Sequence, residues 1–203
     1  MDGFPHVTGK GLDASQQALW DELTLGPRGF YTGGPDTTRL PDLYNAWMQF
    51  PQFGQMMLRL GDTIRTVPDM SGKHREIIVL TTSARLGALV EFDFHVPFAL
   101  NEGISRADID AMRAGAKPAF ADATDQAVHD ANVQLLQSAT VAPETRDRLV
   151  AAIGYPGLMQ VLATVMLYVI TAWTTNVARV KLAEDFSADP AKLSDFFAGN
   201  PVA

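Results

Sequence analysis

The sequence predicts an all-α protein, and three observations support this prediction. We find no convincing run of alternating apolar and polar residues, the pattern of a half-buried strand. Several segments instead carry apolar residues at helical spacing behind a Ser or Asp, the residues that favour helix N-caps. The stretch from Leu149 to Ala178 contains no charged residue, which is typical of a helix buried on most sides. We therefore expect a bundle of roughly eight or nine helices.

Caps and helix breakers set the expected boundaries. Asp13, Ser71 and Ser105 are predicted N-caps, and Gly87 and Gly103 are predicted to end helices. The predicted helices cover residues 12–25, 39–50, 51–65, a segment after Ser71 that ends at Gly87, 89–102, 105–114, 124–138, 143–153, the uncharged stretch up to about Glu184, and a last short helix from Asp189-Pro190 to Phe197.

A chain of 203 residues fits one large domain with an arm. Residues 1–40 form the predicted arm, which contains the first helix and a Gly/Pro-rich segment, Gly26–Pro35, predicted to be a loop. Residues 41–203 form the predicted helical domain.

The net charge of −7 argues against a nucleic-acid partner. The first residues lack the apolar region of a signal peptide, so a cytoplasmic location is expected. The uncharged stretch is long enough to span a bilayer, but glycine, proline and recurring polar residues interrupt it. We therefore expect no membrane partner, and expect this helix in the core or at a subunit interface.

The stretch EFDFHVPFAL, residues 91–100, carries the candidate chemistry. Glu91 and His95 are four residues apart and share one face of a helix, whereas Asp93 points away. Pro97 cannot donate a backbone hydrogen bond, so a kink that opens space near His95 is expected. On the preceding helix, Glu76 can approach His95 if the two helices pack antiparallel across the turn at Gly87.

Two carboxylates and an imidazole in one cleft can separate their pKa values and support acid–base chemistry near neutral pH. The alternatives are ordinary ion pairs, such as Glu76 with Arg75 or Lys73, and a metal site in which Glu76 is the third ligand. No second histidine has ligand spacing near His95, so no metal is predicted.

The run REIIVLTTSARLGALVEFDFHVPFALNEGIS, residues 75–105, resembles the carboxymuconolactone decarboxylase family, on the fold shared with AhpD-like alkylhydroperoxidases. The shared features are Arg-Glu opening a helix, a turn of small residues, Glu-x-x-x-His, and Gly-Ile-Ser. The resemblance implies an AhpD-like multi-helix bundle, a homo-oligomer (trimer or hexamer), and Glu76, Glu91 and His95 as the catalytic set. Where the peroxidase branch carries two cysteines, this chain has Ala88 and Glu91. It contains no cysteine, so thiol peroxidase activity is excluded.

The resemblance implies a carboxy-lyase of aromatic compound catabolism, whose substrate is a small carboxylic acid or lactone. Carboxylate leaves, the electrons flow to the lactone carbonyl as a dienolate, and an acid, expected to be His95, protonates carbon. The lactone accepts the electrons, so no cofactor is needed. The alternatives are a proton-shuttling isomerase or tautomerase at the same site, and a non-catalytic oligomeric ligand-binding protein.

Other residues give weaker expectations. A substrate carboxylate favours an arginine partner, for which Arg28, Arg39, Arg59 and Arg65 are candidates and Arg85 is disfavoured. His6 and His129 are predicted at the surface. The aromatic residues predicted in the core are Trp47, Phe50, Tyr168 and Trp173.

Overall fold

The computed structural model describes residues 3–26, 28–66 and 69–182, and within these ranges it contains helices and no strand. The all-α class is therefore confirmed for this part of the chain. The helices are α1 (Ala14–Leu25), α2 (Gly29–Thr32), α3 (Asp42–Trp47), α4 (Pro51–Thr66), α5 (Gly72–Arg85), α6 (Leu89–Asn101), α7 (Arg106–Arg113), α8 (Ala123–Ser138) and α9 (Pro143–Ala178). The short helix predicted at residues 189–197 lies outside the described ranges.

Polar side chains cap three helices at the predicted positions. Asp13 accepts hydrogen bonds from the backbone N–H groups of Ser15 and Gln16, and Gln16 completes a capping box at the start of α1. Ser71 caps α5 and Ser105 caps α7 in the same way. Each such cap satisfies donors that the first helical turn leaves unpaired and stabilises the helix by about 1 kcal/mol.

Helix α5 lies at the centre of the fold and is buried over most of its length. Every residue from Arg75 to Ser83 is buried. Ile77, Ile78 and Leu80 join a core shared with α6, α7, α8 and α9. Val79 joins a second core shared with α1, α3, α4 and α9. A helix enclosed in this way holds its side chains in fixed positions, so a polar group on α5 is well placed to form part of a rigid site.

The turn between α5 and α6 depends on Gly87. Its φ of +67° lies in the left-handed region, which glycine adopts without a steric penalty. Glu76 and His95, on opposite sides of the turn, contact each other, so the two helices run in opposite directions. Helix α6 continues through Pro97 to Asn101, and Pro97 is buried. The kink that was expected to open space near His95 stays a prediction.

Helix α9 bends at Gly154, whose φ of 67° and ψ of 179° are not helical. The predicted helix end at Ile153 corresponds to this bend. The helix ends at Ala178, earlier than the predicted end at Glu184, because Arg179 adopts a left-handed φ of 52°. The prediction missed this end because Arg179 is neither glycine nor asparagine, the residues that usually mark such a cap.

The two sides of α9 differ strongly in burial. The inner side includes the polar residue Thr171, whose hydroxyl donates to the carbonyl of Leu167 at 3.0 Å. The outer side exposes large apolar residues: Tyr155, Met159, Met166, Trp173 and Val177. The prediction of a core position is therefore wrong for Trp173, and it is also wrong for Phe50, whereas Trp47 and Tyr168 are buried.

By length and composition, α9 could also cross a membrane. Only 33% of its most apolar window is buried within the chain. A core helix of a soluble protein passes the same test, so this property alone does not choose between a membrane and a subunit interface.

The segment Gly26–Pro35 is not an irregular loop throughout, because it contains the short helix α2. The hydroxyl of Thr32 donates to the carbonyl of Leu23 at 2.7 Å and joins α2 to α1. Arg28, just before α2, forms an ion pair with Asp62 on α4. These contacts anchor the segment to the helices beside it.

Candidate active site

His95 lies between two glutamates. Its Nδ1 atom is 2.8 Å from Oε2 of Glu76, and its Nε2 atom is 3.3 Å from Oε1 of Glu91. All three residues are buried, with exposed fractions of 2% for Glu76, 8% for Glu91 and 6% for His95. The structure thus brings the three predicted site residues together, including the approach of Glu76 to His95.

Local helix geometry explains this arrangement. Glu91 and His95 lie one turn apart on α6, which places both side chains on one face. Glu76 lies in the first half of α5, eleven residues before Gly87, and His95 lies eight residues after Gly87 on α6. Antiparallel packing therefore brings Glu76 level with the imidazole. The catalytic role of the three residues stays a prediction.

Arg75 supplies a further buried charge. Its Nε atom is 3.2 Å from Oε1 of Glu76, so the Glu76 carboxylate contacts a guanidinium on one oxygen and an imidazole on the other. Burial of a charge is costly unless it is paired, and here each charged group has an oppositely charged neighbour.

Electrostatics favour the charged form of both Glu76 and His95. Burial on its own lowers the pKa of His95, but the interaction with Tyr168, the charge of Glu76 and the hydrogen bonds to both glutamates raise this pKa well above 6.5. Burial likewise raises the pKa of Glu76, but the interactions with His95 and Arg75 outweigh it and lower this pKa below 4.5. At neutral pH an imidazolium therefore lies against an ionised Glu76.

Aromatic rings surround the imidazole. The Tyr168 ring meets the His95 ring edge-on, with 5.4 Å between centroids and an angle of 90°. The Phe98 ring lies 5.4 Å from the same imidazole and the Phe94 ring 5.5 Å from it. The hydroxyl of Tyr168 accepts a hydrogen bond of 3.3 Å from Arg65. These rings reduce the access of water to the imidazole and give the site an apolar wall.

Tyr168 and Arg65 complete the surroundings of the site, and sequence reasoning did not place either there. Tyr168 was predicted only as a core residue, and Arg65 was one of four candidate arginines. Both lie far along the chain from His95, on α9 and α4, so no local spacing links them to it. The signal available was indirect, namely a tyrosine within the uncharged stretch from Leu149 to Ala178.

The remaining ionisable residues of interest lie outside this cluster. Asp93 points away from His95, as predicted, and forms an ion pair with Arg113 on α7. His6 is exposed, as predicted. His129 is 3% exposed, so its predicted surface position is wrong. It lies on α8 with its ring against Phe120, because the inner face of α8 packs into the first core.

The other arginines predicted as carboxylate partners have separate positions. Arg28 pairs with Asp62, Arg39 lies 3.3 Å from Asp42, and Arg59 is exposed on α4. Among the described residues, no group of three His, Asp or Glu side chains is arranged to hold a metal ion.

Both the sequence and the fold of this chain resemble those of known proteins. Residues 51–131 match the sequence model of the carboxymuconolactone decarboxylase family. A crystal structure described as the alkylhydroperoxidase AhpD core of an uncharacterised peroxidase-related protein from Ralstonia eutropha JMP134 has the same fold. It superposes with a TM-score of 0.72 at 13% identity, over 92% of this chain and 95% of that one. Curated protein sequences gave no significant match.

The matched residues contain Glu76, Glu91 and His95, and therefore the whole buried cluster. The resemblance inferred from the motif at residues 75–105 is thus confirmed by two independent comparisons. Residues 51–131 are thus similar to the carboxymuconolactone decarboxylase family, within a chain that has the AhpD-like fold.

Proposed function

We propose that the protein is a cofactor-independent decarboxylase that acts on a small unsaturated lactone or related carboxylic acid of the carboxymuconolactone type. The observation that carries this proposal is the position of His95, a buried imidazole with a carboxylate at each ring nitrogen. Its raised pKa keeps a proton on the ring at neutral pH, which is what an acid for protonating carbon requires.

The substrate is proposed to bind on the Glu91 side of the imidazole. Glu91 is the most exposed of the three site residues, and it contacts the Nε2 atom, whereas Glu76 and Arg75 close the Nδ1 side. A substrate that displaces the Glu91 carboxylate from Nε2 reaches the proton directly. Substrate binding on the Glu91 side also leaves the ion pair between Glu76 and His95 intact.

The proposed reaction breaks one carbon–carbon bond. The substrate carboxylate leaves as carbon dioxide, and its electron pair passes through the conjugated double bond to the lactone carbonyl as a dienolate. The proton on Nε2 of His95 is then transferred to carbon. A proton from water, relayed by Glu91, returns to Nε2 and restores the protonated imidazole. Glu76 holds the ring in orientation and keeps it protonated between turnovers. The aromatic wall lowers the local polarity, which favours loss of a charged carboxylate.

The contact between Glu91 and His95 also supports a second candidate function. An acid and a base 3.3 Å apart can remove a proton from one carbon and return it to another. An isomerase or tautomerase acting on an unsaturated lactone needs no other group.

A direct assay distinguishes these functions. The purified protein is incubated with carboxymuconolactone and related unsaturated lactone acids, in water and in deuterium oxide, and carbon dioxide and C–H exchange are measured. Carbon dioxide release supports the decarboxylase. Exchange without release supports the isomerase, and neither activity across the panel supports a non-catalytic ligand-binding protein.

Glu91→Gln is expected to lower the rate of carbon dioxide release by about 10²-fold, because the amide cannot relay a proton to Nε2 of His95. The fold should not change, since glutamine has nearly the same shape and Glu91 lies at the edge of the site. The measurement is steady-state kinetics together with circular dichroism. Asp93→Asn on the same helix, which points away from His95, is the matched control and should retain activity. Equal activity of the Glu91→Gln variant and the wild type would refute this role.

The exposed apolar side of α9 leads us to propose a homo-oligomer, a trimer or hexamer by resemblance. Tyr155, Met159, Met166 and Trp173 form a long apolar surface of the kind that subunit interfaces cover. Light scattering at micromolar concentration should give a mass above that of one chain, and Trp173→Lys should lower it. A monomer in the wild type contradicts the proposal. Recovery of the protein only from the membrane fraction would mean that the apolar side of α9 contacts lipid instead of another subunit. The proposed cytoplasmic location would then be wrong as well.

A further inference from the structure

The hydroxyl group of Tyr168 is a buried donor whose proton has no acceptor in the described part of the chain. Tyr168 lies on α9 and is 3% exposed. A phenol hydroxyl carries one proton and two lone pairs. One lone pair accepts a hydrogen bond of 3.3 Å from Nη2 of Arg65, but the proton is donated to none of the described residues. Buried donors nearly always have an acceptor, so this proton is available to an acceptor on a bound molecule.

Arg65 makes the Tyr168 hydroxyl a stronger donor. Its Nη1 atom donates to the carbonyl of Gly61 at 2.8 Å, and its Nη2 atom donates to the phenol oxygen. A hydroxyl that accepts a hydrogen bond from a cation donates its own proton more strongly, because hydrogen bonds in a chain polarise one another. This effect depends on the contact itself and holds whatever other groups the guanidinium contacts.

Tyr168 also lies directly beside the candidate acid. Its ring meets the imidazole of His95 edge-on, with 5.4 Å between the ring centroids. The interaction with Tyr168 also helps to raise the pKa of His95. One small molecule can therefore contact the imidazole and the phenol at the same time.

The proposed decarboxylation needs a donor of this kind. As carbon dioxide leaves, its electron pair moves to the lactone carbonyl, and negative charge develops on the carbonyl oxygen. His95 gives its proton to carbon, so it does not neutralise this oxygen. A fixed donor at the oxygen stabilises the transition state more than the substrate, because the charge on the oxygen is larger in the transition state.

We infer that Tyr168 is a further catalytic residue, whose hydroxyl donates a hydrogen bond to the lactone carbonyl oxygen of the substrate and stabilises the dienolate. This inference rests on the proposed decarboxylase function. The phenol keeps its proton throughout, and the carbonyl double bond forms again when carbon receives the proton from His95. Arg65 is a positioning residue, because it acts through the phenol oxygen.

Tyr168→Phe tests the inference by kinetics, since it removes the hydroxyl and retains the ring against His95. The kcat for carbon dioxide release is expected to fall about 10²-fold, with KM changed much less, because loss of one donor to a developing oxyanion typically costs 10²–10³-fold in kcat. Tyr155→Phe, an exposed tyrosine on the same helix, is the matched control and should retain the wild-type kcat. Circular dichroism establishes that both variants are folded.

A binding measurement tests the same hydroxyl without turnover. The probe 4-nitrophenolate presents an oxyanion conjugated to a planar system, and 4-nitrotoluene has a methyl group in place of this oxygen. The wild type is expected to bind 4-nitrophenolate about tenfold more tightly than Tyr168→Phe does, because a hydrogen bond to a charged oxygen is lost. The two proteins should bind 4-nitrotoluene equally, whereas a general disturbance of the site would weaken the binding of both probes.

A third measurement needs no substitution and applies even if Tyr168→Phe does not fold. The protein is labelled with 3-fluorotyrosine, and fluorine NMR spectra are recorded with each probe. One tyrosine signal should move on addition of 4-nitrophenolate and stay in place on addition of 4-nitrotoluene. A spectrum that neither probe changes would overturn the inference.

The outcomes separate this inference from the proposed function. Carbon dioxide release with the same kcat in the wild type and in a folded Tyr168→Phe variant would remove Tyr168 from catalysis and leave the decarboxylase function in place. Equal binding of 4-nitrophenolate by these two proteins would also overturn the inference. Conversely, phenolate binding that depends on Tyr168, without carbon dioxide release from any lactone acid, supports the assignment of the donor and removes the proposed function.

Discussion

Replacement of His95 by glutamine is expected to lower the rate of carbon dioxide release by about 10³-fold. General acid–base catalysis typically contributes 10²–10⁴-fold, and His95 is the group placed to protonate carbon. Glutamine retains an amide donor for Glu76 but has no proton to transfer at neutral pH. The loss should therefore appear in kcat, with substrate affinity changed much less, because the proton is transferred only in the chemical step.

The control for this variant is another buried histidine. His129 on α8 is 3% exposed, and its Nδ1 atom lies 3.3 Å from Asp130, away from the candidate site. His129→Gln reproduces the disturbance of replacing a buried imidazole and should retain activity per folded molecule. Circular dichroism establishes that both variants are folded. A folded His95→Gln variant with wild-type activity would remove His95 from the mechanism.

The pH dependence of the wild type provides a second check on the same assignment. The pKa of His95 is raised well above 6.5, so its acid form persists beyond the ordinary histidine range. The rate should remain high through pH 6.5 and fall only as the pH passes the raised value. A rate that halves near pH 6.5 would mean that an unperturbed histidine controls the reaction.

The parts of the site that depend on local spacing could be predicted from the sequence. Glu91 and His95 share a face because a helix repeats every 3.6 residues, and Asp93 points away for the same reason. The caps at Asp13, Ser71 and Ser105 follow from the side chains that accept hydrogen bonds at helix starts. The approach of Glu76 to His95 was expected from antiparallel packing across Gly87, and the family resemblance strengthened this expectation, since one carboxylate on a helix is a weak signal alone.

Features created by tertiary packing could not be predicted in this way. The contact of Tyr168 with His95 depends on how α9 packs against α6, and the burial of His129 depends on which face of α8 meets α5. The exposed position of Trp173 likewise depends on which side of α9 the other helices cover. Periodicity shows which residues share a face of a helix, but not which neighbouring helix contacts that face. The uncertainty is greatest for the uncharged part of α9, because apolar residues occur on all of its sides.

Glu76→Gln is expected to destabilise the folded protein by about 3 kcal/mol. Removal of one partner from a buried ion pair typically costs 3–5 kcal/mol, since the remaining charge stays buried without its partner. Here the loss leaves Arg75 without a carboxylate at 3.2 Å and His95 without one at 2.8 Å. The lower end of the range applies because the imidazole can release its proton and become neutral, which the guanidinium cannot do. Urea unfolding at several pH values measures the change.

The effect should be largest between about pH 4.5 and pH 6.5. The pKa of Glu76 is lowered in the folded protein, so its contribution is complete above 4.5 and is lost as the pH falls through the lowered value. The pKa of His95 is raised, so its contribution is complete below 6.5 and is lost as the pH rises through the raised value. Glu22→Gln, a half-buried glutamate on α1, is the control and should change stability by less than about 0.5 kcal/mol.

A double-mutant cycle separates the ion pair from the other effects of each substitution. Glu76→Gln, His95→Gln and the double variant are compared by urea unfolding at pH 6, where both groups are charged in the wild type. The coupling energy should be about 1–3 kcal/mol and should decrease at high pH as His95 becomes neutral. In the Glu76→Gln variant, the His95 pKa measured by NMR should fall, and the basic limb of the activity profile should move to lower pH with it. No coupling at pH 6 and an unchanged His95 pKa would mean that Glu76 does not hold the proton on His95, and the proposed acid would lose the group that keeps it charged.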